Sequence, residues 1–277
     1  MLKSVFAQPA SSGFKAWNNL VAVFIFISCI TLALDTVPDL SEAYHGLFNA
    51  IEWVAVVVFT LDYFGNLAFS DKGWRYAFTV WGVIDLVSIL PSYLMLFNFT
   101  ALQGSKVLRL LRVARVLRVL KLARQAMQVS QASNPLVANL KIYFIIFFSV
   151  MMISSTAMYF VEGSLYASDA MEAGQALIDQ ATPQGQEPVK FVPVDPISGN
   201  LIPEDKRFFT SIPTAMWWCI VTLTSTGYGD MFPVTVGGRI IGGLTMFLGL
   251  VLFGILLNVV GKTMMVVLFG EKLKNED

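Results

Sequence analysis

Apolar residues gather into long runs at roughly 17–37, 48–69, 76–98, 142–161 and 240–269. Each is long enough to cross a bilayer as a helix, which takes about 20 residues. A sixth run, 104–124, is less apolar and predicts one more helix. A shorter run, 211–224, is too brief to cross and reads as re-entrant. The first run lacks the small-residue cleavage site of a signal peptide, and further spans follow it. The pattern therefore predicts an all-α integral membrane protein with six transmembrane helices plus one re-entrant helix. No repeat or low-complexity tract interrupts it.

One segment, 162–210, has the polarity of a soluble piece. Ser168 is placed to cap a short helix through about Gln180. Asp195-Pro196-Ile197-Ser198-Gly199-Asn200 lies between Lys190-Phe191-Val192 and Leu201-Ile202, the pattern of a turn joining two short strands. A disordered outer loop is the competing reading.

Composition narrows the class. Of 277 residues, 14% are charged and 56% apolar, and the mean hydropathy is +0.65. A soluble domain carries nearer a quarter charged residues, and a disordered chain would need low hydrophobicity with high net charge. The 19 basic and 19 acidic residues cancel, against a nucleic-acid binder, which would be basic overall. Cys29 and Cys219 both sit in apolar runs and read as small buried hydrophobes. His45 reads as a wet loop residue.

The charges are unevenly spread. Seven of the 19 basic residues fall between Lys106 and Arg124, while Glu162 to Arg207 holds eight acids and three bases. Short loops with Lys or Arg face the cytoplasm. Lys3 and Lys15 precede the first span, Lys72 and Arg75 follow the second, and Lys272 and Lys274 follow the last. The first-to-second connection carries Asp39, Glu42 and His45 and no base. Both termini are therefore expected in the cytoplasm, with 162–210 outside.

Arg109, Arg112, Arg115, Arg118, Lys121 and Arg124 recur at every third position among Leu, Val and Ala. On an α-helix these cations wind slowly around the rod; on a 3₁₀-helix they form a straight stripe. A helix lying on an anionic membrane surface would account for such a pattern alone. Acids in neighbouring spans argue for burial instead, because an ionised group inside a bilayer costs at least ~2.5–3.5 kcal/mol and needs a partner. Glu52, Phe59 and Asp62 share one helical face with Asn66, and Asp85 lies in the third span. Glu52 and Asp62 stand about 15 Å apart along the axis, giving two anionic stations with a ring between them. One buried pair would suffice for structure, whereas a regular ladder suits transfer from station to station. One charge moved across 100 mV is worth about 2.3 kcal/mol, so about three charges in each of four subunits total about 28 kcal/mol.

The re-entrant run continues Thr222-Leu223-Thr224-Ser225-Thr226-Gly227-Tyr228-Gly229-Asp230. Its glycines permit backbone that turns successive carbonyls toward one axis, and rings of carbonyls from four chains can replace the hydration shell of a potassium ion. A lone Gly-Tyr-Gly is weak. One that follows a short membrane-dipping run and precedes a long span is far more specific.

Residues 48–124 and 208–250 resemble the voltage-gated potassium channel family in its six-segment prokaryotic form. The motifs that carry the resemblance are the Glu52/Phe59/Asp62 face, the string Ile84-Asp85-Leu86-Val87-Ser88-Ile89-Leu90-Pro91, the basic ladder, and Met216-Trp217-Trp218 through Asp230. The resemblance implies a homotetramer in membrane lipid, each chain with a four-helix voltage sensor and a two-helix pore domain around a re-entrant pore helix. Its implied boundaries are a cytoplasmic N-terminus 1–16, a sensor 17–124, a linker 125–139, a pore domain 140–270 and a cytoplasmic tail 271–277. Within the pore domain they are an outer turret 162–210, a pore helix 211–224 and a filter 225–230.

By the same resemblance, Ser225, Thr226, Gly227, Tyr228 and Gly229 bind potassium, while Trp217, Trp218 and Asp230 support the filter. The two tryptophans are expected to bond Asp230 and Tyr228 respectively. Arg109, Arg112, Arg115, Arg118, Lys121 and Arg124 are the gating charges. Glu52, Phe59, Asp62 and Asp85 form the charge-transfer site, and Gly249 is the hinge of the last span. The expected function is passive K⁺ conduction across the cell membrane, opened by depolarisation. No cofactor beyond the permeant K⁺ ions is expected, and no nucleic acid or small-molecule substrate.

Some residues depart from the family pattern. Ser225-Thr226 stands where Thr-Val is usual, putting a polar side chain behind the filter. Asn66 takes a place often held by a base, and no Pro-x-Pro bend occurs near Leu256-Leu257-Asn258, leaving Gly249, Gly254 or Gly261 to supply any flexure. The segment 162–210 is longer than the family leads one to expect. A ligand-gated cation channel would need a domain after the last span, where few residues follow. A sodium or calcium channel would be expected to carry an acid within the filter, whereas Asp230 follows it. The spans offer no nucleophile–base pair or metal cluster for an enzyme.

Overall fold

The computed structural model describes residues 5–6, 8, 11–69, 73–96, 115–122, 135–183 and 189–269. Within them the chain is helical apart from connecting segments and one antiparallel bridge, Val194 to Leu201. The helices are α1 (Ser12–Leu34), α2 (Pro38–Phe69), α3 (Val80–Leu96), α4 (Pro135–Val161), α5 (Ser168–Ala181), α6 (Ile212–Leu223) and α7 (Val236–Phe269). Among the described residues, four helical stretches, those of α1, α2, α4 and α7, are long and apolar enough to cross a membrane, while α3 and α6 are shorter apolar helices.

The boundaries have local causes. Ser11 caps α1 by accepting from the Phe14 amide. The helix α2 begins ten residues before the expected 48 and bends at Tyr44, whose φ/ψ of −123°/16° is not helical. His45 therefore lies on a helix, exposed, rather than in a loop. The third run is split: a 3₁₀ turn, Gly73–Phe78, precedes α3, and Thr79 caps α3 by accepting from the Gly82 amide. Pro135 opens α4, where its missing N–H costs nothing.

Two apolar cores result. The first gathers Val21 and Ile25 of α1, Ala55 and Phe59 of α2, Ile89 of α3, and Val116, Val119 and Leu122. The second gathers Met151 and Met158 of α4, Ala215, Trp218 and Cys219 of α6, and Leu252 of α7, with Tyr166, Ile202 and Phe209 from the outer segment. Cys29 and Cys219 are free and buried, one in each core.

The cores touch. The Phe26 and Phe148 rings lie 4.8 Å apart, the Ser149 hydroxyl donates to the Val119 carbonyl at 3.3 Å, and the Ile212 amide donates to the Thr36 hydroxyl at 2.8 Å.

The described residues of the 162–210 segment are folded. Its helix spans Ser168–Ala181, with Ala167, not Ser168, at the cap position and no side-chain cap bond. The expected turn is present: Asp195 N donates to Asn200 O at 2.8 Å and Ile202 N to Pro193 O at 2.8 Å. Gly199 sits there with φ +72°.

Candidate functional site

The first site fills the space between α1, α2, α3 and the basic segment. Arg115–Arg118 is a 3₁₀ turn that runs into α-helix at 119–122. This is the tighter of the two geometries open to a three-residue repeat. It carries Arg118 and Lys121 into the interior, both buried.

Arg118 occupies the station beside Glu52. Its guanidinium donates to Glu52 Oε1 at 3.5 Å, to the Ser28 hydroxyl at 3.1 Å and to the Ser88 carbonyl at 2.5 Å. It also lies 4.5 Å from the centre of the Phe59 ring, a cation–π contact.

Lys121 occupies the station between Asp62 and Asp85. Its ammonium donates to Asp62 and to Asp85, the latter at 3.0 Å. Each of those carboxylates takes a second donor: Trp17 Nε1 reaches Asp62 at 2.7 Å and the Tyr76 hydroxyl reaches Asp85 at 2.6 Å. The structure thus brings together Glu52, Phe59, Asp62, Asp85, Arg118 and Lys121. Arg109, Arg112 and Arg124 lie outside the described residues, and of Arg115 only the backbone is described.

Burying one cation against two carboxylates costs several kcal/mol per ion in desolvation, repaid only if the remaining lone pairs are satisfied. Trp17 and Tyr76 supply that satisfaction around Lys121, while Ser28 and the Ser88 carbonyl accept from Arg118; sequence reasoning missed all four. A signal existed for α1: Trp17 and Ser28 are 11 residues apart, about three helical turns, so they share a face.

The second site follows α6. Ser211 caps this helix by accepting from the Thr214 amide at 3.3 Å, and Pro213 sits in its first turn. After the Thr224 cap, Ser225, Gly227 and Gly229 adopt φ of +57°, +62° and +78°, whereas Thr226 and Tyr228 do not enter that region. Such alternation lines successive amides along one side and leaves the carbonyls on the other. Gly takes positive φ freely, but Ser225 does so at a cost of about 1–2 kcal/mol.

Asp230 Oδ2 accepts from Trp217 Nε1 at 2.8 Å. The Tyr228 ring stacks on Trp217, centroids 5.8 Å apart and 6° from parallel. Within one chain Trp217 therefore meets both Asp230 and Tyr228, while Trp218 packs edge-on against Phe209 at 5.5 Å. The Thr226 hydroxyl pairs with that of Thr224 at 2.8 Å, so the polar side chain found where the family usually has Val is partnered.

Residues 14–271 match the ion transport protein family. The chain belongs to that family. This ion transport protein is 26% identical over 273 residues to a putative potassium channel protein of Rhodopseudomonas palustris, covering 94% of this chain and 55% of that protein. It is 26% identical over 245 residues to the A-type voltage-gated potassium channel KCND3 of Homo sapiens, covering 84% of this chain and 32% of the relative. A stretch of 47 residues is 55% identical to the human voltage-gated potassium channel regulatory subunit KCNG3, 17% of this chain and 11% of that one. The chain thus spans about half or less of the length of these relatives.

Two further features of the ion transport protein bear on the loop. Glu162, fully buried just beyond α4, accepts from Val234 N at 2.9 Å and from Thr235 N at 3.2 Å, as well as from the Thr235 hydroxyl at 2.8 Å. A Cβ at Gly238 would stand 2.0 Å from that carboxylate, so only glycine leaves it room. The expected hinge, Gly249, lies within the unbroken α7. A Cβ there would meet the Leu223 carbonyl at 2.7 Å, which gives this glycine a packing role at the end of α6. A charge ending an apolar run was the signal for Glu162; sequence reasoning counted it only among the outer acids.

Proposed function

We propose that this protein is a voltage-gated potassium channel that conducts K⁺ passively across the cell membrane as a homotetramer. The observation that carries this reading is the alternating positive φ at Ser225, Gly227 and Gly229, in a loop that the single chain leaves exposed. A backbone of alternating φ has a use when copies of it surround an axis and its peptide oxygens replace the water around an ion. The inner helix supports the same reading, since within one chain α7 exposes apolar side chains on nearly opposite sides, Leu244 and Met246, 61% and 55% exposed. Lipid covers one such face and sibling subunits another.

In this reading the two chain ends are cytoplasmic, and 162–210 is the outer turret of a pore domain at 140–270. Segment 17–124 is the voltage sensor, joined through 125–139. Ser225 to Gly229 form the filter, with Trp217, Trp218 and Asp230 supporting it.

The gating charges are Arg109, Arg112, Arg115, Arg118, Lys121 and Arg124. With Lys121 on the inner side of Phe59 and Arg118 on the outer side, the ladder stands in its outward position, the one favoured by depolarisation. Moving inward, each cation would exchange Glu52 for Asp62 and Asp85 past the Phe59 ring. The acids of the turret add a weak cation-attracting field that salt largely screens.

The test is voltage clamp of purified protein in planar bilayers under potassium and sodium gradients. A conductance that rises steeply on depolarisation and reverses near the potassium potential is expected. Failure to pass ions at any voltage, or reversal that ignores the potassium gradient, overturns the reading.

A further inference from the structure

The outer segment reaches back to the start of the inner helix through one buried carboxylate, Asp195. Its Oδ1 accepts from the Ile197 amide at 3.1 Å. Its Oδ2 accepts from the Ser198 hydroxyl at 2.5 Å, the Ser198 amide at 3.3 Å and the Val236 amide at 3.2 Å. The turn that presents it is closed by the Asp195–Asn200 and Ile202–Pro193 backbone bonds. Ile202, 2% exposed, plugs the far side of that turn into the second core.

Val236 is the first residue of α7 and lies six residues beyond Asp230. Its N–H is one of the donors a helix cannot satisfy internally, and a carboxylate at this end is favoured by the helix dipole. Glu162 takes the two preceding amides, those of Val234 and Thr235. The exit of the filter loop is thus clamped by two carboxylates from different parts of the chain, one at the end of α4 and one in the outer segment.

We propose that Asp195 is a positioning residue for conduction: through Val236 it ties the outer segment to the first turn of α7 and keeps the filter loop in its conducting shape. The inference rests on the channel reading above and deepens it, giving the long outer segment a part in permeation. Potassium bound in the filter stabilises only the conducting shape, so raising its concentration opposes collapse by mass action. A lost Asp195–Val236 bond is therefore felt most when potassium is scarce.

The test uses the full chain in bilayers and follows potassium current during sustained activating steps, at low and then high external potassium. Asp195→Leu, of similar shape, removes the acceptor that the Val236 amide uses. Val236→Pro removes the same bond from the other side, and Pro is tolerated at a first helical position. Each variant is expected to lose current about fivefold faster than the parent at low potassium, the usual worth of one such bond. The double variant should be no faster than either single one, and high potassium should restore the parental time course. Charge movement of the sensor should be unchanged.

Parental decay in both single variants overturns the proposal, as does additive loss in the double. Loss that potassium does not slow, or failure of both variants to assemble, would make the bond a folding element only and equally overturn it. A parent protein without selective potassium current would instead overturn the channel reading on which the inference stands.

Discussion

Buried carboxylates do two different jobs in the two cores. In the first, Glu52, Asp62 and Asp85 face the side-chain cations Arg118 and Lys121. In the second, Glu162 and Asp195 face backbone amides at the start of α7. A cation on a three-residue ladder has an equivalent neighbour one step along, so the first set of partners can be exchanged. A particular N–H has no such neighbour, and the second set holds one geometry. On the proposed channel reading, the same functional group thus serves motion in one region and rigidity in the other, according to what opposes it.

The sharpest way to separate the two regions is to damage the rigid one alone. Gly229 has φ +78° with open space around a Cβ, so Gly229→Ala strains the backbone without a clash, by about 1–2 kcal/mol in each subunit. Selective potassium current should vanish while charge movement persists. Joint loss of both, or neither, would break the comparison. Asp62→Asn attacks the exchangeable region. Removing one partner from a buried pair costs about 3–5 kcal/mol. Each inward step brings another cation to the same carboxylate, so only the difference between positions reaches the midpoint. With about three charges per sensor, each worth about 2.3 kcal/mol per 100 mV, the midpoint should move by less than about 50 mV. An unmoved conductance–voltage curve would deny Lys121 its role at the station between Asp62 and Asp85.

Much of this was readable from residue order alone. The spans follow from runs of apolar residues, and the Glu52–Phe59–Asp62 face from helical spacing. The 194–201 turn follows from its Pro, Gly and Asn. What was hidden depended on contacts between distant segments. Nothing in the order of residues pairs Trp17 with Asp62, 45 positions apart, or Asp195 with Val236, 41 apart. Ser225 was legible as a hydroxyl but not as a left-handed residue, since that conformation is imposed by the glycines and helix around it. Trp218 was expected to bond Tyr228 on the strength of the family resemblance. Packing within the one chain puts Trp217 against both Asp230 and Tyr228, and Trp218 edge-on against Phe209.

Two gentler tests compare the outer segment's own acids. The Ser198 hydroxyl bond, followed by amide bonds from Ile197, Val236 and Ser198, holds the Asp195 carboxyl below its ordinary range. A carboxylate depressed by folding stabilises above its unfolded value of about 3.9 and loses that contribution as pH falls through the lower native one. Hydrogen-exchange protection around 193–202 should therefore persist at neutral pH and fall only below about pH 4, and Asp195→Asn should lack this step. Glu204 is likewise held low, first by its bond from Lys190, but both partners are exposed, at 77% and 72%. Exposed pairs contribute little, so Lys190→Ala should leave both thermal stability and current unchanged.

The Thr36 hydroxyl, which donates to Ala33 O at 2.6 Å and accepts from the Ile212 amide at 2.8 Å, fastens the end of α1 to the beginning of α6. A lever does useful work only against a fulcrum. On the proposed channel reading, a basic helix that slides while α1 stays pinned to the start of α6 would deliver its push to the pore helices rather than swing the whole first core through the lipid.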